Sequence, residues 1–309
     1  MLDDRTLLDH RRMLDDPIRV SAFARALGES CAGHVVAEIG VGFGPLTLLA
    51  LRAGAQRVYG IEVDPRTLAL ATELMHQNGF GPDRFVPLLG RSDEIVIEEP
   101  VDVLVGELID SIGVGENGAW FLADARKRWL RSGGRVIPGR IRIAVGLAAS
   151  EVFRDERRLF ADTLRSRHGL DYRPVLDLLA GPRRTLTVEP DELLTALVPW
   201  QMVDFDAGAA VPLESTVQLE ARRDGAADGL VFGFELELVE GVTIDTRPGT
   251  PWTCWEQGFL PLPAPLQVRE GECFDLALTC PTTVEPWAPV RVTLDRATHA
   301  LVGDEANSL

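Results

Sequence analysis

Between a buried-strand pattern, HVVAEIG, and a helical one, PLTLLALRAGA, the chain reads Glu38-Ile39-Gly40-Val41-Gly42-Phe43-Gly44. No other stretch constrains the fold as much. Glycines at alternate positions between strand and helix let a ligand approach the backbone at the carboxyl end of the first strand of a doubly wound sheet. The surroundings agree with that placement. RVYGIEV reads as a second strand, and PRTLALATELMHQNG as a helix that begins at Pro65 and stops at Asn78-Gly79. RFVPLLG, VDVLVGEL and GRVIPGRIRIAVGL continue the strands, with the helix FLADARKRWL between the last two. Strands alternating with helices of this length indicate βαβ units and a parallel sheet.

The pattern changes on both sides of this region. Residues 1–30 read as helix, with Leu7, Leu8, Met13, Leu14, Ile18, Phe23 and Leu27 near helical spacing and Pro17 as a break. Residues 151–180 are charged and mostly helical. From Thr185 onward short alternating strands follow, TLTVEP, MVDFDA, STVQLEAR, LVFGFELELV, PLQVREG, CFDLALTC and VRVTLDR, punctuated by Gly and Pro. Such a run predicts an antiparallel sandwich or barrel. The expected organisation is N-terminal helices over 1–30, an α/β domain over 31–145, and a β domain over 146–309 that carries a helical arm. With 309 residues there is ample chain for two cores.

Composition narrows the class of partner. There are 31 basic against 47 acidic residues, a net charge of −16, so a nucleic-acid backbone is repelled and a cationic substrate attracted. Lys127 is the one lysine, which reflects a GC-rich bacterial genome rather than mechanism. Cys31, Cys254, Cys273 and Cys280 are scattered without metal-ligand spacing and read as free thiols in a reducing compartment. The charged N-terminus has no signal-peptide core, and no run reaches the roughly 18 apolar residues of a membrane span. The expectation is a cytoplasmic protein that binds neither membrane nor nucleic acid nor metal.

Three groups of residues carry chemistry. A dinucleotide fingerprint needs a third glycine where Pro45 stands, so the glycine loop with Glu38 two residues before Gly40 fits S-adenosylmethionine (SAM) better; a plain Gly-rich turn accounts for the glycines alone. Glu62, at the end of the next strand, can accept both ribose hydroxyls of a nucleoside, and Asp93 in LLGRSDEI is placed to read an adenine amino group. In GELIDSIGVGEN, Glu107 and Glu116 lie nine residues apart around a Gly-rich loop. That pair can be solvated surface, a metal site or a cation clamp. Without nearby His or Cys at ligand spacing, a clamp for a planar, always-charged guanidinium suits it best. The scattered histidines, the Trp120/Trp129 pair and the Arg154–Arg158 charge run read as core or surface.

Taken in order, these motifs resemble the protein arginine methyltransferase family over nearly the whole chain. HRRMLDDPIRVSAFARAL looks like the helix before its cofactor site, and EIGVGFG, GIEVD and GRSDEI look like its successive cofactor motifs. GELIDSIGVGE is similar to its two-glutamate loop, worded nearest the monomethylating branch, and PWTCWEQ to a late Thr-His-Trp loop. The resemblance implies a SAM-binding Rossmann-like domain followed by an antiparallel β-barrel, with a dimerisation arm near 153–185 and a homodimer. It implies methyl transfer to a guanidino nitrogen of arginine. Arg19, Glu38, Gly40, Gly42, Gly44, Glu62 and Asp93 would hold SAM, and Glu107 and Glu116 the guanidinium. Met13, Thr253, Cys254 and Trp255 would line the substrate side.

The departures are specific. The family's aromatic lid helix has no counterpart before His10. Cys254 replaces the loop histidine, so its pairing with the aspartate at Asp16 is expected to be lost, and Glu256 in place of a lysine is expected to add negative charge near the pocket. Ile109, Asp110, Ser111 and Gly113 replace bulky residues between the glutamates. These changes favour free L-arginine or a small guanidino metabolite over a protein arginine. A protein or peptide arginine methyltransferase is the alternative, followed by methylation of another small acceptor or a non-catalytic SAM-binding scaffold.

Overall fold

A computed structural model describes residues 4–179, 183–208, 213–280 and 291–296. His299 and the rest of segment 297–309, assigned above to the β domain, lie outside them. Two helices open the chain, α1 (Asp4–Leu14) and α2 (Pro17–Ser30). The break falls at Pro17, whose fixed φ starts α2 while Asp16 caps it, accepting from the amides of Ile18 and Arg19 at 3.0 and 2.9 Å.

The next elements are β1 (Val35–Ile39), α3 (Pro45–Arg52), β2 (Arg57–Glu62), α4 (Pro65–Gln77), β3 (Phe85–Leu89), β4 (Val101–Gly106), α5 (Gly118–Trp129) and β5 (Leu130–Ile137). Their strands form a parallel sheet in the order β3-β2-β1-β4-β5. Every residue of β1 is buried, as expected of a central strand covered on both faces. The order reverses between β1 and β4, and the crevice at that reversal, outside the carboxyl ends of the strands, is where open α/β sheets take ligands.

Gly134–Leu147, which reads as one continuous strand, is two. The chain turns at Pro138-Gly139, after which β6 (Arg140–Ala148) leaves the parallel sheet and pairs antiparallel in a second one. Hydropathy alone cannot register that change, because apolar residues face a core on both sides of the turn. The second sheet also contains β7 (Arg184–Leu186), β8 (Val198–Asp204), β10 (Gly225–Val239), β11 (Val242–Asp245) and β12 (Gln257–Val268), in the order β7-β12-β10-β6-β8 with β11 on β10. A third comprises β9 (Leu213–Glu220), β13 (Cys273–Cys280) and β14 (Arg291–Arg296), in the order β14-β13-β9. One apolar core runs through both halves, from Leu27, Val36 and Leu104 to Ile141, Phe232 and Phe274.

Between β6 and β7 lies a helical arm of α6 (Glu151–Arg158), a π-helical turn (Leu159–Thr163), α7 (Leu164–His168) and α8 (Val175–Leu179). Phe153 roots it, fully buried against Phe259 in a small separate core. Val152, Leu159, Leu170, Tyr172 and Leu178 are left exposed along it. Among the described residues, all four cysteines are free thiols, and no helix is long and apolar enough to cross a membrane.

Candidate active site

At the switch point, Gly40, Gly42 and Gly44 all have positive φ, 76°, 56° and 86°, which L side chains rarely adopt. At Gly42 a Cβ would also meet the ring of His10, which stacks on Phe43 with centroids 3.7 Å apart. Helix α1 therefore lies across the glycine loop. Glu62 at the end of β2 is held by three backbone amides: Gly42 donates to it at 3.0 Å, Val63 at 2.8 Å and Asp64 at 3.0 Å. Its carboxylate is thereby fixed at the mouth of the crevice.

Two adjoining cavities occupy this crevice, sharing His10, Gly40, Glu62, Leu108 and Glu116 as walls. The smaller, of about 480 Å3, extends past Ile61, Gly90, Ser92 and Phe121. Ser92 is 3% exposed, and its hydroxyl has no hydrogen-bond partner among the described residues. An orphaned buried hydroxyl in a largely apolar slot beside Glu62 fits the adenosine portion of SAM, with ring faces packing on apolar walls and few polar contacts required. Asp93 itself does not line either cavity. Its carboxylate turns to Arg91, which donates to it through two nitrogens at 3.1 Å. The sequence pointed to Asp93 here, whereas the residues of this strand end that line the cavity are Gly90, Arg91 and Ser92.

The larger cavity, of about 530 Å3, reaches from the glycine loop to the two-glutamate loop. Arg19 from α2 lies at its centre, 3% exposed, donating to Glu107 at 2.5 Å, with its guanidinium 5.7 Å from the ring centroid of Trp255. Glu38 on β1 is 2% exposed and accepts from Thr47 at 2.5 Å. Burial pushes its carboxyl up to about 8, opposed by the Thr47 hydrogen bond and by Arg19. Burial also raises Glu107, against the pull of Arg19. Glu116 is pushed up to about 8, by burial first and then by the charges of Glu107 and Asp110, with Arg183 opposing. Two glutamates thus line one cavity, Glu107 in contact with the buried Arg19 and Glu116 only partly offset by Arg183, its carboxyl still raised. Such a site attracts a further cation.

The late loop closes the far wall. Trp255 is 6% exposed and donates its indole N–H to the Ile109 carbonyl at 2.8 Å, anchoring the glutamate loop. Cys254 and Met13 line the same cavity. Thr253 does not: it is buried beside a separate pocket that includes Trp252. With Cys254 in place of the histidine there is no imidazole to pair with Asp16, but the backbone amide of Cys254 donates to the second Asp16 oxygen at 2.7 Å and keeps the two segments linked. A backbone donor needs no particular side chain, so histidine is dispensable for that contact. Glu256 does lie near the cavity, but its charge is paired with Arg12, which lines that cavity, and it accepts from Thr187 at 3.0 Å.

Sequence reasoning missed the wall beside Glu116. There Arg183 pairs with Asp110, and Thr185 donates to Ser111 at 3.2 Å, so the stretch entering β7 is bridged twice to the glutamate loop. Asp110 is locked from its other side by the amides of Gly113 and Gly115 at 2.9 and 2.8 Å. Asp110 stood out in the sequence only as one of the small or polar residues between the glutamates, and no local signal marks Arg183.

Comparison with known proteins agrees with this geometry. The arginine N(omega)-methyltransferase of Streptomyces achromogenes subsp. streptozoticus is 30% identical over 279 residues, which span 87% of this chain and 75% of that protein. This chain belongs to the arginine N-methyltransferase family. It is a SAM-dependent arginine N-methyltransferase with a Rossmann-like domain and an antiparallel barrel domain. Protein arginine N-methyltransferase 1 of Saccharomyces cerevisiae is 24% identical, covering 88% of this chain and 80% of its own. The profile of a family described as ribosomal protein L11 methyltransferase (PrmA) matches residues 26–135, the cofactor-binding part. Among solved structures, a Trypanosoma brucei PRMT1 enzyme-prozyme complex with AdoHcy superposes with a TM-score of 0.76 at 23% identity, covering 93% of this chain and 98% of that one.

Proposed function

We propose that this methyltransferase acts on the guanidino group of free L-arginine or a small guanidino metabolite. The observation that carries the reading is the doubly bridged wall: Arg183 with Asp110, and Thr185 with Ser111, cross the substrate side beside Glu116 and leave a cavity of small-molecule size. The 30%-identical Streptomyces relative, whose name specifies arginine rather than protein arginine, supports it. Relatives named protein arginine N-methyltransferases support the competing reading, a peptide or protein substrate.

Bound SAM supplies a methyl group activated by its sulfonium, which departs as a neutral thioether. We assign Arg19 to the cofactor carboxylate, Glu38 and the Gly40, Gly42 and Gly44 backbone to its amino-acid end, Glu62 to the ribose, and Ser92 rather than Asp93 to the adenine edge. Arg19 also touches Glu107, so one guanidinium joins the cofactor end to the substrate end and opposes the burial that raises the Glu107 carboxyl. Glu107 and Glu116 grip the substrate guanidinium. Fixed negative charge on two sides draws the cation's positive charge to the nitrogens it faces and leaves lone-pair density on the third. Met13, Cys254 and Trp255 exclude water and hold that nitrogen in line, where reacting atoms must approach within about 3–3.5 Å. Glu116, with its raised carboxyl pKa, is the group to take the proton released as the new bond forms. The exposed apolar row on the arm, Val152 to Leu178, is assigned to a homodimer contact.

A competition assay tests the substrate. Methyl-labelled SAM is offered with equimolar free L-arginine and an Arg-Gly-rich peptide in one tube, and label is partitioned by size. Label in the small fraction is expected; label confined to the peptide would refute the small-substrate reading and favour its competitor.

A further inference from the structure

Arg183 raises an electrostatic problem. The cavity must admit a cation between Glu107 and Glu116, yet beside Arg19 two more arginines line it: Arg12, which pairs with Glu256, and Arg183, which acts electrostatically on Glu116. Arg183 is not a stray surface residue: its side chain is 25% exposed and its partner Asp110 only 6%. The guanidinium lies directly over Gly115, where any Cβ would collide with it and with the Asp110 carboxylate. The loop is thus shaped to seat Arg183 next to Glu116. A positive charge here opposes a guanidine compound whose far end is cationic. It favours a substrate that brings an anion at the far end of its own chain.

We propose that Arg183 is the specificity-determining residue for that far end, reading the α-carboxylate of a free arginine whose guanidinium is held by Glu107 and Glu116. This rests on the small-substrate reading above. A guanidinium presents a planar fork of N–H donors that matches a carboxylate, and Asp110, locked by two backbone amides, orients the fork as a positioning residue. The arrangement discriminates by charge. Free L-arginine satisfies both ends, whereas agmatine, which lacks the carboxylate, leaves two cations facing each other. An arginine within a peptide has a neutral amide at the same place.

The test compares kcat/KM for L-arginine and agmatine with wild-type enzyme, Arg183→Gln and Arg183→Lys. Wild type is expected to prefer L-arginine by about 10- to 100-fold, the range of one charge-assisted carboxylate contact. Arg183→Gln should bring the ratio toward one, chiefly through KM for L-arginine, and Arg183→Lys should restore part of it. A purely structural Arg183–Asp110 pair would lower both substrates together and leave the ratio unchanged, which would overturn the assignment. Equal wild-type kcat/KM for the two compounds would also overturn it while leaving the small-substrate reading intact; this arm requires no variant to fold. Methylation of a peptide alone, with neither small compound touched, would overturn both.

Discussion

Replacing Glu116 with Gln should slow catalysis about 100- to 1000-fold and stabilise the fold. The carboxyl ionises near 4.5 in an unfolded chain and near 8 in its place beside Glu107 and Asp110. Between those values the folded state binds the proton more tightly than the unfolded state, so stability declines as pH rises from 4.5 to 8 and the full penalty applies above 8. The gap corresponds to at most about 5 kcal/mol. Glu116 is only partly buried, and solvent in the cavity discounts this to about 1–3 kcal/mol. For a chain of this size the expected gain in Tm is about 2–6 °C at pH 9, shrinking to nothing near pH 5. Glu38, also raised to about 8, is present in both proteins and cancels from the difference. Differential scanning calorimetry of wild type and Glu116→Gln across pH 5 to 9 measures it. A Tm difference that is absent at pH 9, or that grows toward pH 5, would refute the claim that this carboxylate is held at a cost in the free enzyme.

Other outcomes follow from the same contacts. kcat/KM should rise with pH up to about 8 and level off beyond it, since the free enzyme must ionise Glu116 before it takes a cation; a pH–rate profile flat from 6 to 9 would contradict this. Arg19→Met leaves Glu107 buried without its partner and should cost about 3–5 kcal/mol in chemical denaturation, partly recovered in Arg19→Met/Glu107→Gln. Ser92→Ala removes a hydroxyl that bonds nothing among the described residues. It should weaken SAM binding about 3- to 10-fold by calorimetric titration while leaving Tm within a degree or so. Leu178→Asp, on the exposed arm, should shift the species seen by light scattering from dimer to monomer.

What the sequence revealed is what local spacing encodes. The alternating glycines, the capped starts at Asp16-Pro17 and Asp64-Pro65, and Glu62 at a strand end each lie within a few residues of the element that positions them. The two glutamates share one loop and were legible for the same reason. Contacts between distant segments were not. Asp16 meets the Cys254 amide across 238 residues, and Arg183 reaches Asp110 because β7 pairs with the Gln257–Phe259 end of β12, not because of any local pattern. Asp93 shows the limit from the other side: the strand end was found, but which residue faces the cavity depends on how the turn after it rotates. The four-residue β11 escaped notice because so short an alternation stands out only when a partner strand lies beside it.

The central claim is that Glu107 and Glu116 together hold the guanidinium of a free arginine for methylation. Its most direct test is product mass spectrometry of wild type, Glu107→Gln and Glu116→Gln, each incubated with SAM and free L-arginine after SAM binding has been verified by titration. The account predicts a gain of one methylene mass on free arginine with wild type, and a loss of about 100- to 1000-fold in rate with either variant. Unmethylated arginine with wild type, or variants that turn over at the wild-type rate, would contradict it.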